Sequence, residues 1–114
     1  MLLAVAALVG ACGGSGAGNS TRSTVKVVLT PTGCTPRPAA IPAGKVTVHI
    51  VNRNADSVSV AELRTGDLTR VVGEVQNITP GISGSFTVTV RPGSYVFYCD
   101  GAAHPESFLT VRKS

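Results

Sequence analysis

Gly93-Ser94-Tyr95-Val96-Phe97-Tyr98-Cys99-Asp100-Gly101-Ala102-Ala103-His104 is the stretch on which the fold turns. The preceding Pro92-Gly93 pair marks a turn, and a short strand follows it. Side chains of a strand alternate between faces, so Tyr95, Phe97 and Cys99 share one face while Val96 and Tyr98 take the other. The aromatic, inward face therefore ends in a cysteine. The chain then breaks into a Gly-Ala loop that carries a histidine. Such an arrangement holds a sulfur and an imidazole near one end of a sandwich.

Working outward, the chain punctuates itself every eight to twelve residues, the pattern of an all-β sandwich or barrel. Val25 to Leu29 reads as a first strand. Pro31 to Pro38, with three prolines, a glycine and Cys34, reads as a loop. Ala39 to Ile41 is expected to pair briefly before the Pro42-Ala43-Gly44 turn. Lys45 to Asn52 alternates cleanly, with Val46, Val48 and Ile50 on one face and His49 on the other. Ser57 to Arg64 is the next strand, with Val58, Val60 and Glu62 on one face and Ala61 and Leu63 opposite. Leu68 to Val75 follows the Thr65-Gly66-Asp67 turn. Ser85 to Val90 places Phe86, Val88 and Val90 inward, and Ser107 to Arg112 closes the sheet. Seven to eight strands over about ninety residues, with no long amphipathic helix, predict a two-sheet all-β sandwich spanning 25–114.

The 114 residues allow a single domain. Lys plus Arg exceed Asp plus Glu by ten to six, but the positive residues are scattered singly. Scattered charge of this size is a statement about solubility, and without a basic stripe beside aromatic platforms nucleic acid is excluded as a partner. With 43% hydrophobic residues and no tryptophan, the core must come from Val, Ile, Leu and Ala.

Met1 to Ala11 is almost wholly apolar and too short to span a bilayer. It ends in Leu8-Val9-Gly10-Ala11 before Cys12, which resembles the lipobox of bacterial lipoproteins. The expectation is a signal peptide over 1–11 and lipidation at Cys12, several acyl chains fixing the protein to the cell membrane on its extracytoplasmic side. An ordinary apolar N-terminus and a signal cut nearby without lipidation are the other readings. Residues 12–24 carry no apolar side chain larger than Ala after Cys12, a Gly/Ser composition expected of a flexible tether.

Ile41-Pro42-Ala43-Gly44-Lys45, Asn77-Ile78-Thr79-Pro80-Gly81 and Arg91-Pro92-Gly93-Ser94-Tyr95 with Cys99 resemble the cupredoxin-like domain of EfeO-type iron-uptake lipoproteins. Gly33-Cys34-Thr35-Pro36 fits that family's first cysteine, and the likeness runs from about Val25 to Val111. It implies a Greek-key sandwich and a role in metal uptake or supply at the bacterial cell envelope, in the periplasm. A metal-uptake permease or another envelope protein is the implied partner. The family's ligands for copper or iron carry over to Cys34, Glu62 and Cys99. A further family glutamate falls on Gln76, for which Glu74, on the same strand face, is the substitute. His104 offers an added nitrogen donor.

Tyr95 to Cys99 also resembles the strand that carries the copper cysteine of plastocyanin-like proteins. Type 1 copper needs two imidazoles, a thiolate and usually a distant methionine. Asp56 to Ser59 lacks the earlier histidine, and Met1 is the only methionine. Electron transfer of that type is therefore not expected. Two thiolates with a carboxylate and an imidazole suit copper or zinc better than hard ferric iron.

Set against a metal-thiolate site is a Cys34–Cys99 disulfide, the commoner fate of two cysteines outside the cytoplasm. Glu62 is as readily a solvated residue as a ligand, and His104 an exposed loop residue. No Gly-x-Ser-x-Gly elbow, His-Glu-x-x-His pair or phosphate-cradling loop is present. The chain therefore reads as a binding module, not an enzyme. Two functions compete: a membrane-anchored lipoprotein that binds copper or iron, and a metal-free, disulfide-stabilised interaction module.

Overall fold

Alternation of apolar and polar residues is carried into nine strands among the described residues of a computed structural model, which describes residues 22–114. The expected signal peptide and the lipidation at Cys12 lie outside the described residues. In chain order the strands are β1 (Arg22–Leu29), β2 (Cys34–Arg37), β3 (Ala40–Pro42), β4 (Gly44–Asn52), β5 (Ser59–Thr65), β6 (Val71–Ile78), β7 (Ser83–Val90), β8 (Gly93–Cys99) and β9 (Glu106–Arg112). They form a five-stranded sheet, β3-β9-β8-β5-β6, and a four-stranded sheet, β2-β1-β4-β7.

The described strands number nine rather than seven or eight, β5 starts at Ser59 rather than Ser57, and other details differ from the sequence reading. Arg22 to Thr24, expected in the tether, open β1 and pair with Lys45 to Thr47. The supposed proline loop contains β2, which pairs with β1 from Lys26↔Arg37 to Leu29↔Cys34. An edge strand needs hydrogen bonds on one side only, which is why Pro36 is tolerated there. Leu68 to Arg70 belong to the β5–β6 turn rather than to β6, and Leu68 takes a left-handed φ of 65°.

The inner faces meet as the alternation requires. Val25, Val27 and Leu29 of β1 and Val46, Val48 and Ile50 of β4 pack against Leu63, Phe97, Leu109 and Val111 of the other sheet. Each fully buried Val, Leu, Ile or Phe contributes about 1.5–3 kcal/mol. The sheets close on each other where β6 passes β7. A Cβ added to Gly84 would lie 2.6 Å from Val75 Cγ2, and one added to Gly73 would lie 2.8 Å from Phe86 Cε2.

Candidate functional site

Cys34 and Cys99 are both inward residues, at the N-terminal end of β2 and the C-terminal end of β8 respectively. Their sulfurs are bonded, with an S–S distance of 2.05 Å and a Cα–Cα distance of 6.3 Å. The bond joins one sheet to the other at a single pole. Leu29 and Cys34 are register partners, as are Ala61 and Cys99. The Ser107 hydroxyl donates to the Cys34 carbonyl. The loop 100–105 is fastened over this pole by backbone donors: Ala103 N–H to Pro31 O at 2.9 Å, His104 N–H to Thr32 O at 2.8 Å, and Cys99 N–H to Pro105 O at 2.8 Å.

The same pole holds a buried amide network. Asn52, 0% exposed, donates from Nδ2 to the carbonyls of Ser57 at 2.9 Å and Ile78 at 2.8 Å. Its Oδ1 accepts the Asn54 N–H at 2.8 Å. Ser59 Oγ donates to Asp100 O at 2.6 Å. Among the described residues every buried side-chain nitrogen and oxygen has a partner.

The remaining predicted donors lie elsewhere, and the reason is strand periodicity. Ala61 and Leu63 point inward, so Glu62 points outward, away from the Cys34–Cys99 bond. Glu74 is the register partner of Glu62 on β6, and Glu62 is also the partner of Tyr98 on β8. Glu62 Oε1 accepts from Arg64 Nε at 2.8 Å and pairs with its terminal nitrogen at 2.5 Å, leaving Oε2 outside that pairing. The Arg64 guanidinium lies 4.5 Å from the Tyr98 ring centroid, a cation–π contact that fixes its position. Glu74 Oε2 accepts from Gln76 Nε2 at 3.2 Å. His104 is exposed, and its side chain lines a depression with Val28, Thr35 and Arg37, outward residues of β1 and β2. Cys34 points to the other side of β2.

The structure thus brings the two sulfurs together and brings Glu62 beside Glu74, but it does not join these pairs to each other or to His104. No group of three or more His, Cys, Asp or Glu able to hold a metal ion occurs among the described residues. The type 1 copper set does not fit this pole. Its thiolate is engaged in a disulfide, its early imidazole is replaced by serines, and no buried side-chain nitrogen or oxygen among the described residues is left without a partner. The sequence reading missed Tyr98, Arg64 and Asp100, which line a depression with Glu62, Gln76 and Val60. Period two alone places Glu62 and Arg64 on one face; that Tyr98 joins them depends on cross-strand register.

Residues 1–111 match the family model described as a cupredoxin-like domain. The chain belongs to that family. The cupredoxin-like domain is 33% identical over 88 residues to the iron uptake system component EfeO of Escherichia coli strain K12, covering 77% of this chain and 23% of that protein. The EfeO of Shigella flexneri matches with the same figures. The chain therefore spans less than a quarter of the curated relatives it matches. Among solved structures, auracyanin B superposes with a TM-score of 0.63 at 22% identity, over 78% of this chain and 88% of that one. Rusticyanin, a copper protein, superposes with a TM-score of 0.60 at 17% identity, over 78% of each chain. At these identities the two structures establish the Greek-key sandwich alone.

Proposed function

We propose that this cupredoxin-like domain is an extracytoplasmic, membrane-anchored binding component of metal uptake, with acyl chains on Cys12 and iron or copper as its cargo. The observation that carries this reading is the register Glu74↔Glu62↔Tyr98 on the outer face of the five-stranded sheet, with Asp100 lining a depression together with Glu62 and Tyr98. With both sulfurs bonded, the donors this face offers are carboxylate and phenol oxygens. Such donors suit a hard ion and reverse the preference that two thiolates would give. The arrangement is open, as a site that hands its cargo to a permease or other envelope partner requires. The likeness to an iron uptake component supports the role. No bond in the cargo is made or broken, so the domain acts as a binder and not as an enzyme.

Equilibrium dialysis against ferric citrate and against cupric ion tests the reading. Glu62→Gln with Glu74→Gln should weaken binding by at least about tenfold, and unchanged affinity would remove the carboxylate face from consideration. Binding that arises only after reduction would restore Cys34 and Cys99 as the donors. A second reading, a metal-free interaction module, is favoured by the bonding of both sulfurs. It requires that neither metal bind, oxidised or reduced.

A further inference from the structure

The outer face of the four-stranded sheet collects cations that are scattered in the sequence. Arg22 and Lys26 are outward residues of β1, Arg37 of β2 and Lys45 of β4, and all are exposed. Register places them side by side. Arg37, Lys26, His49 and Ser85 form one row across all four strands, and Arg22, Lys45 and Thr89 form another. The remaining outward positions are Ser, Thr and Val. None of the six acidic residues of the chain lies on this face. Glu62, Glu74 and Glu106 are instead outward residues of the opposite sheet, in one row with Tyr98. Asp56, Asp67 and Asp100 lie in turns. One face of the sandwich therefore carries cations without acids, while on the other Glu62, Glu74 and Glu106 are accompanied by Arg64 and Arg112.

We infer that the β2-β1-β4-β7 face docks on an anionic lipid surface. The face is roughly 15 by 25 Å from strand spacing and rise, and each cation near such a surface strengthens binding by about fivefold. Its composition argues against a protein partner. Protein interfaces are anchored by aromatic side chains and depleted in lysine, whereas this face has no aromatic residue and two lysines. Serine and threonine hydroxyls, such as the Thr47–Thr87 pair at 3.0 Å, can donate to headgroup phosphates without needing a pocket. The point of chain entry agrees. Arg22 is the first described residue and belongs to the face itself, and Cys12 lies ten residues upstream. Ten residues of chain reach at most roughly 35 Å, so acyl chains on Cys12, as proposed above, would keep this face near the bilayer. Docking by this face turns the Glu62–Glu74 side outward. The inference stands on the face itself and does not require the anchor or the metal.

Flotation of the full chain carrying Cys12→Ser, which removes any acyl contribution, tests it with phosphatidylcholine vesicles with and without phosphatidylglycerol. Binding is expected to the anionic vesicles only, at about 0.05 M salt, and to vanish near 0.5 M, where screening shortens the reach of surface charge. Lys26→Glu with Arg37→Glu should weaken it at least about 25-fold. Arg22→Gln with Lys45→Gln provides a milder second pair at the other end of the face and should weaken it by a similar factor. Arg112→Glu with Lys113→Glu gives the same net charge as the first pair and should change binding little. An equal loss from that control, or equal binding to neutral vesicles, overturns the inference. So does retention on immobilised polyglutamate without vesicle binding, which would assign the face to an acidic protein. Because Cys12 is replaced and no metal is added, such a failure leaves the uptake reading where it stood.

Discussion

Single side chains decide how the disulfide pole is held. Asn52, itself fully buried, satisfies two backbone carbonyls and one N–H, of which the Ile78 carbonyl and the Asn54 N–H are in buried bonds. Replacing Asn52 with alanine deletes these partners and leaves the Ile78 carbonyl and the Asn54 N–H buried without one. Asn52→Ala should therefore lower stability by about 3 kcal/mol, measured by urea unfolding. Asp67 illustrates a surface counterpart. The Thr65 hydroxyl at 2.6 Å and the Thr69 hydroxyl at 2.8 Å donate to its Oδ1 and lower its pKa from 3.8 to about 2. The folded value lies below the unfolded one, so the contribution of Asp67 is complete above about pH 4 and is lost as pH falls through about 2. Asp67→Asn should flatten the acid limb of stability in that window. The carboxyl resonance of Asp67, followed by NMR, should titrate near pH 2. At this scale much of the candidate site was hidden in the sequence. Glu62 is visible as a face-sharing residue of a strand, but its pairing with Arg64 and its place beside Tyr98 follow from neighbours on other strands.

Elements with strict alternation were legible. β4 and β8 bury the residues their periodicity names, β7 turns Phe86 and Val88 inward half-buried and buries Val90, and β8 ends in an inward cysteine. β2 was not, because three prolines outweigh four residues of weak alternation. What makes Cys34 to Arg37 a strand is the ladder offered by β1, a long-range partner no local window reveals. β6 shows a related limit. Its Gly73 and the Gly84 of β7 look like strand-weakening residues, yet they are what lets the two sheets approach at that edge. Gly84→Ala should cost about 1–3 kcal/mol by overpacking against the stiff Val75 side chain, read as a lowered unfolding midpoint. The exposed Ser83→Ala next to it should have little effect.

For the whole molecule, the covalent link between the sheets dominates. A bond between residues 65 apart is worth about 4 kcal/mol in the chain-entropy model. A small domain has about 5–15 kcal/mol in all. Cys34→Ala with Cys99→Ala, or reduction of the wild type in denaturant, should lower unfolding stability by that amount, compared in matched urea titrations. The meeting of the two sulfurs at one pole was open from the sequence as bond or ligand pair, because connectivity is set by geometry. The gathering of cations without acids on one face was not legible at all. Arg22, Lys26, Arg37 and Lys45 never form a run, and only the pairing of β1 with both β2 and β4 assembles them.

The parallel pairing of β3 with β9 has a consequence in time. Ala40 to Pro42 find their partners only in Thr110 to Arg112, residues made after every other strand of the sandwich. An emerging chain can therefore lay down the β1–β4 ladder early, but it cannot seat β3 until β9 has emerged. A nascent chain stalled before Glu106 would hold an unfinished sandwich with β8 uncovered on one side, a target for proteases and chaperones.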